Sequence, residues 1–257
     1  MNHPSGRVEC EPMPRPMRRT YERNAALVTL AVAIPYTTAG LAADRYVDAA
    51  GQLILGLLTA VVLAGLLVLH PRAVRIQTLG VVAIATLGEI IGSLVWGLYA
   101  YRLDNLPAFV PPGHGLVFLC GVSLAALANA RRGWLLVAAA VGAGAWGLAG
   151  LTVLPARDAA GAIGCTFLIA VLIKTRRPVY AGVFLVVAAL EIYGTAIGTW
   201  TWEGVVPGLG LSQGNPPSGV ASGYVVFDIL ALTLATRISR LRVRGPRRTP
   251  RASTPPI

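Results

Sequence analysis

Residues 76–101 read IQTLGVVAIATLGEIIGSLVWGLYAY, a long apolar run with a single charged side chain, Glu89. A helix needs about 20 consecutive apolar residues to cross the hydrocarbon core of a bilayer. This stretch therefore predicts a transmembrane helix, and it places one carboxyl group inside the membrane.

The rest of the chain is equally apolar. Of its 257 residues 55% are hydrophobic and only 13% are charged, and the mean hydropathy is +0.65. Soluble domains carry roughly 25% charged residues. The apolar runs predict an all-α, polytopic transmembrane helical bundle of eight spans, at residues 25–43, 50–69, 76–101, 114–130, 134–154, 159–173, 179–200 and 218–236.

The positions of the basic residues predict the orientation of these spans. Nearly all of the 22 Lys and Arg residues lie in the tails and in every second loop, whereas the other loops hold only Arg45, Arg102 and Arg157. Positive residues stay on the cytoplasmic side, so both termini are expected in the cytoplasm. Few Lys among many Arg, with much Ala, Val, Leu and Gly, is typical of a GC-rich bacterial genome, which predicts the bacterial inner membrane. Topology explains the net charge of +11, so nucleic acid is not an expected partner.

The tails and the first span allow further predictions. Residues 1–20 and 241–257 are rich in Pro and Arg without an apolar period, and they are predicted to be disordered basic tails. Small residues at positions 38–43 leave open that the first span is a cleaved signal peptide, in which case seven spans would remain.

The two halves of the chain, residues 21–132 and 133–240, resemble each other. Glu89-Ile-Ile-Gly-Ser in the third span corresponds to Glu191-Ile-Tyr-Gly-Thr in the seventh. A basic cluster precedes each glutamate at equal distance, and a loop with two consecutive prolines follows each span. Four spans per half keep both halves in the same orientation. The pattern predicts a parallel 4+4 internal repeat, related by an axis along the membrane normal.

Ionisable side chains within the apolar runs are the candidate catalytic residues. They are Glu89, Glu191 and Asp228, with His114 at the start of the fourth span. A charge at the centre of a bilayer costs about 2.5–3.5 kcal/mol on insertion scales, which makes such residues functional candidates. The structural alternatives are neutral carboxyls that hydrogen-bond two helices together and a histidine that caps a helix at the interface.

Helical spacing selects the neighbours of these acids. Residues three, four or seven positions away share a helix face, and aromatic residues cluster at the outer ends of the spans. The predicted substrate-binding residues are Ser93, Trp96, Tyr99, Thr195, Trp200 and Tyr224. The expected ligand is a membrane lipid or a lipid-soluble small molecule. The sequence has neither a nucleotide-binding loop nor metal-ligand spacing, so no cofactor and no metal site is predicted.

A short motif resembles a known family. Glu89-x-x-Gly92-x-x-x-x-Gly97-x-Tyr99-x-Tyr101, followed by Pro107 and Val110-Pro111, resembles a motif of the bacterial and archaeal carotenoid-hydratase-type membrane family. Those proteins have several spans and hydrate the end of a linear C40 or C50 polyene. The resemblance implies that Glu89 protonates a double bond.

Three functions remain open on the sequence. The first is an enzyme that acts on an isoprenoid or carotenoid-like substrate with intramembrane carboxylic acids. The second is a proton- or cation-coupled transporter of a small molecule, because repeated acids at matching depth suit coupled transport. The third is a scaffold subunit without chemistry.

Overall fold

Residues 15–128 and 131–243 are described in the structure, which is a computed structural model. The fold is helical apart from two strands of three residues, which confirms the all-α prediction. The helices are α1 (Arg15–Asp44), α2 (Ala49–Val68), α3 (Arg72–Glu89), α4 (Val110–Ala128), α5 (Arg132–Thr152), α6 (Ala159–Thr175), α7 (Pro178–Ala196) and α8 (Val220–Val243). The strands are β1 (Tyr99–Tyr101) and β2 (Trp200–Trp202).

Six helices in the described ranges are long and apolar enough to cross a membrane: α1 from Glu22, α2, α3 with its extension to Val95, α4, α5 and α7. The apolar helices Ala159–Thr175 and Val220–Thr233 are shorter. Large apolar side chains such as Leu57, Val61 and Val141 are more than half exposed on the bundle surface. An apolar outer surface of this kind suits contact with lipid and indicates a membrane protein.

The ends of the chain are more helical than the sequence predicted. Helix α1 begins at Arg15, inside the stretch 1–20 that was expected to be disordered, and α8 continues to Val243. Arg, Met and Glu, which are good helix formers, extend the helix beyond the apolar run. The rest of both predicted tails, residues 1–14 and 244–257, lies outside the described part of the chain.

Helices α4 and α7 cross at the centre of the bundle. Helix α4 packs against α1, α2, α3 and α7, and α7 also packs against α5 and α8. The backbones meet at Gly121 and Gly182, where a Cβ on Gly182 would lie 2.5 Å from the carbonyl oxygen of Gly121. Small residues allow such close approach of membrane helices, whose association depends on packing rather than on the hydrophobic effect.

The predicted third and seventh spans end earlier than the sequence indicated. Residues 97–101 and 198–200 were expected to be helical, but Gly97 and Gly198 have φ values of +72° and +76° and end the helical stretches. This left-handed conformation favours glycine and terminates helices. The chain then forms β1 and β2, which pair antiparallel with Tyr99 opposite Trp202 and Tyr101 opposite Trp200.

A π-helical turn distinguishes the two strand-bearing segments. Residues Ile90–Val95 form this turn directly after Glu89, whereas α7 runs past Glu191 without one. The i→i+5 spacing of a π-helix takes up an additional residue. Gly97 therefore follows Glu89 by eight positions, whereas Gly198 follows Glu191 by seven. Both strands nevertheless begin two residues after the glycine.

The helix crossing gives a stability prediction. Gly182→Ala should lower the free energy of unfolding by about 1–3 kcal/mol, the usual effect of overpacking a tight contact, because the new methyl group would collide with the α4 backbone. The matched control is Gly65→Ala on α2, where no atom lies within 4 Å of the added Cβ; it should be neutral or slightly stabilising. The measurement is the unfolding midpoint of each purified variant in detergent. Equal midpoints for Gly182→Ala and Gly65→Ala would contradict the close helix crossing.

Candidate functional site

A cavity of about 200 Å³ lies where α3 and α7 end. The strand pair, α1, α2, α4 and α8 also contribute to its wall. Most of the lining is apolar or aromatic, and the polar exceptions are concentrated in a few buried side chains. The residues with groups that could bind or transfer a proton are Tyr36, Glu89, Tyr99, Tyr101, His114, Glu191 and Tyr224.

Glu89 is held at the cavity by three side-chain donors. Its Oε2 accepts hydrogen bonds from the hydroxyls of Tyr99, at 2.6 Å, and Tyr101, at 2.7 Å. Its Oε1 lies 2.8 Å from Nε2 of His114. The two tyrosines reach the same oxygen because residues i and i+2 of a strand point to the same face. Glu89 itself is 5% exposed, so protein donors replace the water that would solvate this carboxylate.

Glu191 is held in a parallel way by the second strand. Its Oε2 accepts hydrogen bonds from the indole Nε1 atoms of Trp200, at 2.8 Å, and Trp202, at 3.1 Å. Each acid therefore receives both aromatic donors of the strand that follows its own helix. Two different ring types, phenol and indole, fill the equivalent places.

The glycine three residues after each acid makes room for these rings. A Cβ on Gly194 would lie 2.1 Å from an atom of the Trp200 ring, and one on Gly92 would lie 3.3 Å from Tyr99. The Glu-x-x-Gly pattern in the sequence thus has a steric cause: the strand folds back over its helix, and the aromatic side chain occupies the space that a larger residue would fill.

His114 links α4 to this group. Because an ionised carboxylate only accepts hydrogen bonds, a contact with carboxylate Oε1 of Glu89 places a proton on Nε2. The other ring nitrogen, Nδ1, is buried and has no hydrogen-bond partner among the described residues. The imidazole lies 5.0 Å from the ring of Tyr224, centroid to centroid. A histidine oriented in this way by a carboxylate can accept a proton.

The two acids are close enough to influence the same side chains. The Tyr99 hydroxyl, which donates to Glu89, also interacts electrostatically with Glu191. Tyr224 interacts with both carboxyl groups. The cavity therefore contains two carboxyls, an imidazole and several phenols within one electrostatically connected group, which is the inventory needed for general acid–base catalysis.

An ion pair holds the first strand in place. Arg102, directly after β1, lies with Nε 3.3 Å from Oδ2 of the buried Asp44. Its guanidinium also donates to the backbone carbonyls of Asp44 and Val47. These contacts fasten β1 to the loop between α1 and α2, and so fix the positions of Tyr99 and Tyr101.

The structure places only part of the predicted residue set at this cavity. Of the predicted catalytic residues, Glu89, Glu191 and His114 line it. Of the predicted substrate-binding residues, Tyr99, Trp200 and Tyr224 line it.

Four predicted residues lie elsewhere. Ser93 and Trp96 do not line the cavity, and the Trp96 indole donates to the carbonyl of Pro207. The Thr195 hydroxyl donates to the backbone oxygen of Glu191, within its own helix. Asp228 is buried on α8 away from the cavity wall, and its Oδ2 has no hydrogen-bond partner in the described ranges.

Tyr101 and Trp202 complete the two donor pairs, and the sequence prediction did not assign them to the site. Their signal was the Tyr-x-Tyr and Trp-x-Trp alternation, which is the period of a strand. The prediction placed Tyr101 at the end of the third span and Trp202 just beyond the seventh, among the aromatic residues at the outer ends of the spans, so the shared face remained unrecognised.

No protein-family model, no curated protein and no solved structure matches this chain.

The strand tyrosines give a prediction for alkaline pH. Burial, reinforced by the negative charge of Glu89, raises the pKa of Tyr99 and Tyr101. The folded protein keeps these protons above pH ~10, where an unfolded chain releases them. Their contribution to stability is therefore complete below pH ~10 and is lost as the pH rises further.

The measurement is the ultraviolet absorbance of phenolate during an alkaline titration. The double variant Tyr99→Phe/Tyr101→Phe should give the same phenolate signal as the wild type while both are folded, and a smaller signal only after unfolding. If the folded double variant gives a smaller signal than the folded wild type near pH 10, Tyr99 and Tyr101 ionise in the folded wild-type protein, which would contradict the prediction.

Proposed function

We propose that this protein is an integral membrane enzyme that adds water to the terminal double bond of a linear isoprenoid hydrocarbon. The observation that supports this proposal most directly is the pair of carboxyl groups, Glu89 and Glu191, on the wall of a largely apolar and aromatic cavity. A lipid-soluble alkene fits such a wall, and the carboxyl groups can supply and remove protons. The partial sequence resemblance to carotenoid hydratases points to the same chemistry.

The proposed topology has eight spans, in a bacterial inner membrane, with both termini in the cytoplasm. Helix α6 has 17 residues, the lower end of the range for a span. The distribution of Lys and Arg over alternate loops requires α6 and α8 to cross. The matched acids and strands in the two halves support a parallel 4+4 repeat.

Glu191 is the proposed acid. Both indoles donate to its Oε2, so a proton on this carboxyl resides on Oε1. The carboxyl also has a side-chain hydrogen bond with Tyr224, which can replace a proton that Oε1 gives to the substrate. Glu89, in contrast, accepts donors on both oxygens. Whereas the family resemblance implies that Glu89 protonates the alkene, the hydrogen-bond pattern favours Glu191.

The proposed reaction then proceeds in two bond-forming steps. The π electrons of the alkene form a C–H bond with the proton of Glu191 and leave a carbocation on the more substituted carbon. The oxygen of a water molecule bonds to this carbon, and the His114 imidazole, oriented by Glu89, accepts the proton that water loses. Tyr224, which interacts with both acids, gives its proton to Glu191. The His114 imidazole, whose ring lies 5.0 Å from that of Tyr224, then passes the proton it took from water to the Tyr224 phenolate, so that the enzyme is unchanged overall.

The aromatic wall stabilises the carbocation. Tyr99, Tyr101, Trp200 and Trp202 surround the cavity, and the rings of Tyr99 and Trp202 lie 4.3 Å apart. A cation over the face of an aromatic ring gains about 0.5–2 kcal/mol, with the larger values where water is excluded. Several rings around one apolar site therefore lower the energy of the charged intermediate.

Proton-coupled transport is the second candidate, and the position of Asp228 favours it. Asp228 follows Tyr224 by one turn of α8, and its carboxyl interacts electrostatically with Tyr180 near the start of α7. Glu191, Tyr224, Asp228 and Tyr180 thus form a row of buried polar groups along the bundle. Rows of this kind serve as proton relays in membrane pumps and transporters.

Site variants test the enzymatic proposal. Purified protein in lipid nanodiscs should convert lycopene, an acyclic C40 polyene, to a hydroxylated product detected by mass spectrometry. Glu89→Gln and Glu191→Gln should each lower the rate about 100-fold or more, the usual effect of removing a general acid or base. The matched control is Glu203→Gln, whose side chain is exposed and lines neither cavity.

Wild-type protein that forms no hydroxylated product would refute hydration of this substrate. Transport would instead be supported if proteoliposomes acidify only in the presence of a solute gradient and if Asp228→Asn abolishes this acidification. Unchanged cellular function in a Glu89→Gln/Glu191→Gln double variant would favour the scaffold.

Reporter fusions test the topology. Alkaline phosphatase, active only outside the cytoplasm, should be active when fused after Asp104 or Arg157 and inactive after Arg131 or Arg176. The comparison of Arg157 with Arg176 tests α6 alone, because α6 lies between them. If α6 does not cross the membrane, both positions lie on the same side of it. Equal activity at these two positions would therefore refute the eight-span topology.

A further inference from the structure

A second cavity, of about 420 Å³, lies between α1 and α7 and rests on α4. Its lining comes from residues within 33–38 of α1, 116–124 of α4 and 185–193 of α7. All of these side chains are apolar except Thr37, Thr38, Cys120 and Tyr193. Among the described residues, α1 and α7 make little direct contact, whereas both pack closely against α4. We call this space the α1–α7 groove.

The α1–α7 groove is continuous with the cavity at the two glutamates. Thr37, Leu116, Val117 and Leu190 line both spaces. A ligand in the groove therefore contacts side chains that also form the wall of the cavity at the carboxyl groups. The groove lining contains no carboxyl and no imidazole group, so it offers mainly shape and apolar contact.

The groove also opens to the side of the bundle. Ile34, Thr38 and Ala189 line it and are exposed at the bundle surface. Near the end of the groove that is closest to the strands, the Tyr193 hydroxyl donates to the carbonyl oxygen of Thr38 at 3.2 Å and joins α7 to α1. The opening thus faces the region that lipid would occupy, below this bridge.

We propose that the α1–α7 groove binds the hydrocarbon chain of the substrate, which enters sideways from the bilayer with its reactive end at Glu89 and Glu191. This inference rests on the proposed function and adds the place where the chain of the substrate binds and the side from which it enters. From Leu116 to Leu124 the groove follows α4 for eight residues, or about 12 Å at 1.5 Å per residue. A compact terpene would leave this length empty.

The groove favours a stiff chain over an ordinary lipid tail. Lipid tails are as apolar as the groove, so a chain that leaves the bilayer gains nothing from the hydrophobic effect. Selection must come from packing and from the entropy of ordering the ligand. A conjugated polyene has few rotatable bonds to order, whereas a saturated acyl chain has many. The groove therefore selects the polyene from a large excess of lipid.

A narrowing variant tests this inference. In Ala189→Phe the new ring fills the groove from α7, and the position is exposed, so that the core of the bundle does not have to repack. The matched control, Ala145→Phe, is exposed on α5 and lines neither cavity. Leu124→Trp, at the far end of the groove, is a second variant in case the first folds poorly.

The readout is lycopene retained per protein after repeated detergent washing, measured by its visible absorbance. Wild type and Ala145→Phe should retain it, and Ala189→Phe and Leu124→Trp should retain at least 10-fold less while eluting as the same monodisperse species. Equal retention by all four proteins, or none by the wild type, would overturn the groove assignment.

Binding and catalysis separate in this design. Retention by the wild type without any hydroxylated product would refute the hydratase proposal and leave the groove assignment standing. If the wild type converts lycopene, and Ala189→Phe and Leu124→Trp retain and convert it equally well, the groove assignment is refuted and the hydratase proposal stands.

Discussion

Two carboxyl groups lie inside an apolar bundle, and the structure depends on how they are solvated. A carboxylate that leaves water without replacement hydrogen bonds is very costly. The backbone of a membrane helix cannot supply donors, since its N–H groups are already bonded within the helix. The helical stretches that carry the two acids end just before Gly97 and Gly198, which have positive φ. A three-residue strand then folds back over each helix. Alternate residues of each strand then place two aromatic donors on one carboxylate oxygen.

The antiparallel pairing of β1 and β2 joins the donors of Glu89 and the donors of Glu191 in one two-stranded sheet. Ala100 lies opposite Thr201, and the aromatic residues are arranged symmetrically about that pair. The donors differ in chemistry: an indole N–H is a donor only, whereas phenol and imidazole can both donate and accept. The two strand donors of Glu191 thus cannot carry a proton onward, which leaves that role to Tyr224 on α8. Glu89 is surrounded by groups that can, and this difference separates the two acids despite their similar backbone setting.

The sequence predicted the features that depend on long apolar runs and missed those that depend on single residues. Apolar length and charge placement identify helices from composition alone, and the Glu-x-x-Gly pattern led to both acids. A strand of three aromatic or small residues, such as Tyr99–Tyr101, is as apolar as a helix end and gives no contrast in hydropathy. The π-helical turn at Ile90–Val95 changes the helix face by one residue, so helical spacing from Glu89 selected Trp96, which contacts Pro207 instead. Asp228 was selected because it is an acid in an apolar run, a criterion that identifies burial but not the cavity.

Hydration of a hydrocarbon requires two substrates with opposite solubility at one place. The strand pair and the ion pair between Arg102 and Asp44 close the bundle at the end with the loops, where water is available. The α1–α7 groove opens at the side of the bundle, where Ile34, Thr38 and Ala189 are exposed. The carboxyl groups lie where the two routes meet. A site deeper in the bundle would separate the acids from water, and a site in the loops would force the polyene out of the bilayer. The depth of Glu89 and Glu191 near the ends of their helices is therefore the position that the proposed hydration would require.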